Sequence, residues 1–131
     1  MNEGLGNSRS PFQWIGKSIL VAEDELVNFL YIRELLVPTG ANIIKAVNGR
    51  EVLEYLSQGS LPDIILMDIK MPVLNGYDTT TEIRKINKQI PIIAVTAYAF
   101  AGEKEKALQT GCNMFIQNLF AKRNCLCPLL S

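Results

Sequence analysis

The chain contains no histidine. That absence excludes Ser-His-Asp and Cys-His catalysis, and no phosphohistidine can form on this chain. It also removes the common nitrogen ligand of zinc and copper sites. Cysteine is scarce: Cys112, Cys125 and Cys127 are odd in number and crowded toward one end. They build neither a disulfide framework nor a zinc site, and a reducing cytoplasm is the simplest home. No apolar run approaches the roughly 18 residues of a membrane helix, and the first residues lack a signal-peptide pattern. Neither sign of charge dominates, since Lys+Arg and Asp+Glu each total 13. A balanced chain has no global pull toward nucleic acid or an anionic membrane, so neither is expected as a partner.

What remains is an ordinary globular composition, 48% hydrophobic and 20% charged over 131 residues. That length suits one domain burying about two-thirds of its unfolded surface. Residues 1–16, rich in Gly, Asn and Ser, read as a linker or expression remnant whose last aromatic residues pack onto the domain. The domain proper is expected over 17–131. Ser18 to Ala22 is a short apolar strand. Val27, Leu30, Tyr31 and Leu35 then follow at helical spacing, ending before Pro38 and Gly40. Asn42 to Val47 is a weaker strand interrupted by Lys45, and Gly49 to Gln58 a short helix with Val52, Leu53 and Leu56 on one face. Ile64 to Met67 is too short for a helix and reads as a buried strand that runs out at Asp68. Tyr77 to Asn87 is predicted helical, Ile90 to Val95 a strand ending at Thr96, and Ala101 to Thr110 a solvated helix stopped by Gly111. Met114 to Gln117 is a fifth strand. Strand and helix alternate and the strands are nearly continuous apolar runs, the signature of a parallel sheet covered on both faces. The predicted fold is a flavodoxin-like α/β three-layer sandwich, five strands in the order 2-1-3-4-5. The tail from about residue 114 is atypical. Beyond Leu119 it has no clean helical period and Pro128 limits any helix, so the last helix is expected to be truncated or irregular.

In that strand order the first, third and fourth strands end side by side, carrying Glu23-Asp24, Asp68 and Thr96. Three carboxylates at one rim repel each other, and a hard cation holds them ionised. Oxygen-only ligands favour Mg²⁺. With the ion present, Asp68 can act as a nucleophile toward a phosphoryl group, and the Thr96 hydroxyl can donate to a phosphoryl oxygen. The competing structural reading makes Glu23 and Asp24 caps of the first helix and Asp68 the cap of a turn.

These blocks resemble the receiver domain of two-component response regulators, particularly those attached to hybrid sensor histidine kinases. The matching segments are Ile19-Leu20-Val21-Ala22-Glu23-Asp24-Glu25, Asp63-Ile64-Ile65-Leu66-Met67-Asp68-Ile69-Lys70-Met71-Pro72, Asn75-Gly76 and Pro91-Ile92-Ile93-Ala94-Val95-Thr96-Ala97-Tyr98-Ala99, continued by Gly111-Cys112-Asn113. The resemblance implies that Asp68 accepts a phosphoryl group from the phosphohistidine of a histidine kinase or phosphotransfer protein. Asp24, Asp68 and the backbone carbonyl of Lys70 would ligate Mg²⁺, with Glu23 acting through a water. Thr96 would sense the phosphoryl group and Phe115 would be the aromatic switch. Lys70 and Tyr98 fall where the family tunes phosphoryl lifetime, and their bulk predicts slow dephosphorylation. The expected role is that of a phosphorelay acceptor, not an enzyme, within the cytoplasm, in a longer parent such as a hybrid kinase that is itself membrane-anchored or free.

One departure stands out. Asn118 occupies the position where the family's Lys-Pro lysine pairs with the phosphoryl oxygens. The alternative function is therefore a receiver-like interaction module in which switching through Asp68 is impaired. If the last helix is short, a homodimer burying the exposed sheet face is one way to cover it. An aspartyl-phosphate phosphatase of the haloacid dehalogenase type fits less well, since Lys70 stands where a second acid is usual. A flavodoxin-type flavin site is disfavoured by Glu23-Asp24-Glu25, which repel a phosphate.

Overall fold

Five strands alternate with helices throughout the computed structural model, which describes residues 13–97 and 100–117. In chain order they are β1 (Ser18–Ala22), α1 (Leu26–Leu36) with a 3₁₀ turn over Val37–Thr39, β2 (Asn42–Ala46), α2 (Gly49–Ser57), β3 (Ile64–Asp68), α3 (Gly76–Ile86), β4 (Ile92–Thr96), α4 (Glu103–Thr110) and β5 (Met114–Gln117). The sheet is wholly parallel, in the order β2-β1-β3-β4-β5 expected above. The expected last helix, and the homodimer argument built on it, concern a segment outside the described residues.

Successive strand residues point to opposite faces, and here both faces are covered. Leu20, Ile65, Met67, Ile92 and Ala94 pack beneath Val52 and Leu56 of α2, Ile83 of α3 and Ala107 of α4. Ile19, Val21, Leu66, Ile93, Val95 and Ile116 face the other way, against Phe29, Ile32 and Leu36 of α1. Ile65, Leu66 and Met67 have no exposed surface at all. Burying each such side chain contributes about 1.5–3 kcal/mol, so Asp68 is carried on one of the stiffest segments of the fold.

Local chemistry fixes the helix ends. Asn48 Oδ1 accepts the Glu51 N–H at 2.9 Å while Glu51 Oε1 accepts the Val47 N–H at 2.9 Å, a reciprocal cap at the start of α2. Asn75 Oδ1 caps α3 through the Asp78 N–H at 2.9 Å. Gly111, at φ 121°, ends α4 as expected. Asn113 then ties that corner down, its Oδ1 accepting from the Ile92 N–H and from Arg84. Trp14 also docks, its N–H donating to the Thr39 carbonyl at 2.7 Å and its ring lying against the α1 face of the core.

Three expectations need correction. The buried stripe of α1 is Phe29, Ile32 and Leu36; Val27 is 77% and Leu30 41% exposed. Its sequence, LVNFLYIRELL, carries apolar residues on more than one face, so spacing alone cannot choose between them. The fourth strand begins at Ile92, because Pro91 lacks an N–H for the ladder. Finally, α4 begins at Glu103, since Gly102 precedes it at φ 87°.

The loop after β3 holds a strained residue. Val73 sits at φ 70°, and the Leu74 N–H reaches back to the Pro72 carbonyl at 2.7 Å. This is the rare γ-turn of positive φ, unfavourable for a β-branched side chain. Val73 is 69% exposed, so little packing offsets the strain. Val73→Gly is expected to stabilise the protein by about 1 kcal/mol in urea unfolding. A loss of stability would show that the Val73 side chain contributes more than its backbone costs.

Candidate functional site

The strand order sets the carboxyl ends of β1, β3 and β4 next to one another. Each strand delivers a polar group there: Glu23 and Asp24 just past β1, Asp68 as the last residue of β3, and Thr96 as the last of β4. Together with Glu25, Asn28, Lys70, Val95 and Ala97 they line one open pocket. One oxygen from each of Glu23, Asp24 and Asp68 lies within 4.8 Å of the others. Glu23 is 1%, Thr96 2% and Asp68 9% exposed, whereas Asp24 faces solvent.

The capping alternatives can now be weighed. Glu25 is the N-cap of α1, with no side-chain cap and no acid in the first turn. Glu23 Oε2 instead accepts the Glu25 N–H at 3.1 Å, which folds the chain back and aims the carboxyl into the pocket. Glu25, rather than Glu23 or Asp24, occupies the N-cap position of α1. Asp68 does make the expected turn, Oδ1 accepting the Lys70 N–H at 3.0 Å. That bond orients the carboxylate toward the pocket it lines. Turn and site are served by one side chain.

Burial, reinforced by the Asp68 charge, pushes the Glu23 carboxyl up to about 8, against the lowering effect of the Glu25 N–H. Burial likewise raises Asp68 to about 6, opposed by the Lys70 N–H and ammonium and assisted by the charge of Asp24. The folded state thus binds protons that the unfolded chain has released. Its contribution to stability is complete below the unfolded values near 4 and is lost as pH rises through about 6 and about 8. In chelator, stability to urea is expected to fall between about pH 5 and about pH 8, on the order of 2 kcal/mol, and Glu23→Gln to flatten that slope. A slope unaffected by Glu23→Gln would contradict this origin.

Crowded carboxylates that resist ionising together are what a divalent cation relieves. An all-oxygen donor set, partly buried and open to solvent on the Asp24 side, fits hard Mg²⁺ better than a thiophilic metal. The register pairs Ala94 with Phe115 and Thr96 with Gln117, so Phe115 lies on the sheet face shared by Thr96, half-buried against the helix-covered core. Tyr98 and Asn118 lie outside the described residues.

Sequence reasoning missed Asn28, which lines the pocket and hydrogen-bonds Glu23. Its position one helical turn beyond Asp24 was the available signal. It also missed Glu103, whose Oε2 pairs with Lys70 Nζ at 3.6 Å, and Phe100, whose ring lies 4.3 Å from that ammonium. No local pattern announces either contact.

Residues 19–126 match the family model described as the response regulator receiver domain. A hybrid signal transduction histidine kinase from Dictyostelium discoideum is 41% identical over 112 residues, covering 79% of this chain but 6% of the relative. A polar-differentiation response regulator from Brucella anthropi is 37% identical over 102 residues, covering 76% of this chain and 82% of its own length. The chain therefore spans most of one relative and a small part of the other. Among solved structures, the receiver domain of a sensor histidine kinase from Pseudomonas aeruginosa superposes with a TM-score of 0.71 at 36% identity, covering 78% of this chain and 84% of that one. That structure carries a magnesium ion coordinated in its active site cleft. Fold, rim chemistry and kinship agree: the chain belongs to the response regulator receiver domain family of two-component signal transduction.

Proposed function

We propose that this receiver accepts a phosphoryl group on Asp68 from a phosphohistidine of a histidine kinase or phosphotransfer protein. The convergence of Glu23, Asp24 and Asp68 with the Thr96 hydroxyl in one open pocket carries this reading. Asp24, Asp68 and the Lys70 carbonyl would hold Mg²⁺ directly, with Glu23 contributing through a water. The magnesium in the cleft of the Pseudomonas neighbour supports that assignment. When bound, the ion neutralises charge on the phosphoryl oxygens in flight.

The rest is the work of the chain. An Asp68 carboxylate oxygen forms the new bond to phosphorus while the bond from phosphorus to the histidine nitrogen breaks, and the imidazole departs with the electron pair. The Lys70 N–H holds Asp68 Oδ1 and keeps the carboxylate from swinging away during attack. Thr96, at the neighbouring strand end, donates to a phosphoryl oxygen. Movement of Thr96 toward that oxygen would open room on the face shared with Phe115, the aromatic switch. The domain is an acceptor rather than an enzyme with turnover; loss of the group by hydrolysis resets it, slowly where Lys70 and Tyr98 obstruct water.

Acetyl phosphate with Mg²⁺ tests the reading without a cognate kinase. The expected product is a single phosphoryl group, mapped to the peptide containing Asp68. Failure to modify the folded protein would favour the interaction-module alternative tied to Asn118.

A further inference from the structure

The pocket beside Asp68 is lined by four acidic residues and, among the described residues, by one cationic side chain, Lys70. Its ammonium is held at the rim rather than buried. It lies 3.6 Å from Glu103 Oε2 and 4.3 Å from the centre of the Phe100 ring. Glu103 is the first residue of α4, and its other oxygen accepts the Phe100 N–H at 3.0 Å. One lysine therefore fastens the end of β3 to the segment entering α4. The N-cap of that helix is Gly102, which offers no side-chain cap.

We propose that Lys70 is the phosphoryl-binding cation of this site, and that it exchanges the Glu103 carboxylate for phosphoryl oxygens when Asp68 is modified, unfastening the first turn of α4. This rests on Asp68 being the acceptor. The direction of exchange follows from charge and exposure. A phosphoryl group carries about −1.5 to −2, against −1 for a carboxylate, and offers three acceptor oxygens. The Lys70–Glu103 separation of 3.6 Å is long for a charge-assisted bond, and the lysine side chain is 44% exposed. Solvent screens the pair from the Lys70 side, although the Glu103 side chain is only 17% exposed. Lys70 and Asp68 line the same pocket. Glu103, once released, keeps the Phe100 N–H and the favourable end of the α4 dipole, which makes its desertion inexpensive.

The test treats the full chain and the variants K70Q, K70R and E103Q with acetyl phosphate and Mg²⁺. The phosphorus–acetate oxygen bond breaks, the bond to Asp68 forms, and acetate leaves. Two quantities are read: the initial rate of modification by mass, and amide hydrogen exchange over residues 103–106 before and after. In the wild type, exchange at 103–106 is expected to rise on modification. K70Q should be modified at least roughly tenfold more slowly, with exchange at 103–106 high from the start and no longer responsive. E103Q should show the same high exchange but faster modification, the competing carboxylate having been removed, and K70R should restore rate and response. A K70Q protein that matches the wild type in both readouts overturns the proposal and leaves Asp68 as acceptor. A wild type that takes up no phosphoryl group removes the acceptor reading, and the exchange falls with it.

Discussion

Asp68→Asn is expected to abolish phosphoryl uptake while making the metal-free protein more stable. The two side chains are nearly isosteric, and the asparagine oxygen can still accept the Lys70 N–H that Asp68 Oδ1 accepts at 3.0 Å. The amide has no nucleophilic oxygen, so the covalent step has no route. Removing the charge also relieves the repulsion that raises Glu23, and it ends the burial penalty on an ionised Asp68. A gain of about 1–2 kcal/mol at neutral pH follows. Intact mass after acetyl phosphate, read beside urea unfolding in chelator, checks both halves. Lost uptake with lost stability would mean that Asp68 supports the fold and that its role as acceptor had not been isolated.

Gly76→Ala is the largest expected structural effect. Gly76 opens α3 directly behind the acceptor strand, its N–H donating to the Ile69 carbonyl at 3.2 Å. A Cβ there would lie 2.7 Å from the Asp68 carbonyl oxygen and 2.7 Å from the Ile69 Cα. Both are backbone atoms of the segment that ends β3, so neither can rotate aside. Helix propensity alone would favour alanine by about 1 kcal/mol. Overpacking against fixed backbone outweighs that, and a net loss of about 3 kcal/mol is expected in urea unfolding. The displacement would also shift Asp68 relative to Asp24, so weakened Mg²⁺ binding should accompany the loss. A change under about 1 kcal/mol would show that α3 can pivot without disturbing the site.

The parts legible in the sequence were those decided by local pattern plus topology. Apolar runs of strand length gave the strands, topology gave their order, and the acid or threonine closing the first, third and fourth gave the meeting of Glu23, Asp24, Asp68 and Thr96. The Gly111 stop and the extent of β5 were legible for the same reason. The buried face of α1 was not, because Val27 and Leu30 compete with Phe29 and Ile32 at equivalent spacing and only the sheet decides between them. The Lys70–Glu103–Phe100 contact was hidden for another reason. It joins residues about thirty apart across the rim, and nothing in the runs around either end marks them as partners. In the sequence Glu103 was one acid in the solvated run Glu103-Lys104-Glu105-Lys106; in the fold its side chain is only 17% exposed.

Everything claimed for Asp68 depends on the acidic rim holding one divalent ion. Calorimetric titration of Mg²⁺ into the wild type and into Asp24→Asn near neutral pH addresses that point most directly. The expected result is one binding site in the wild type, with proton release as Glu23 and Asp68 ionise around the metal, and its loss in the folded Asp24→Asn variant. Equal Mg²⁺ binding by both proteins, or none by the wild type, would contradict it.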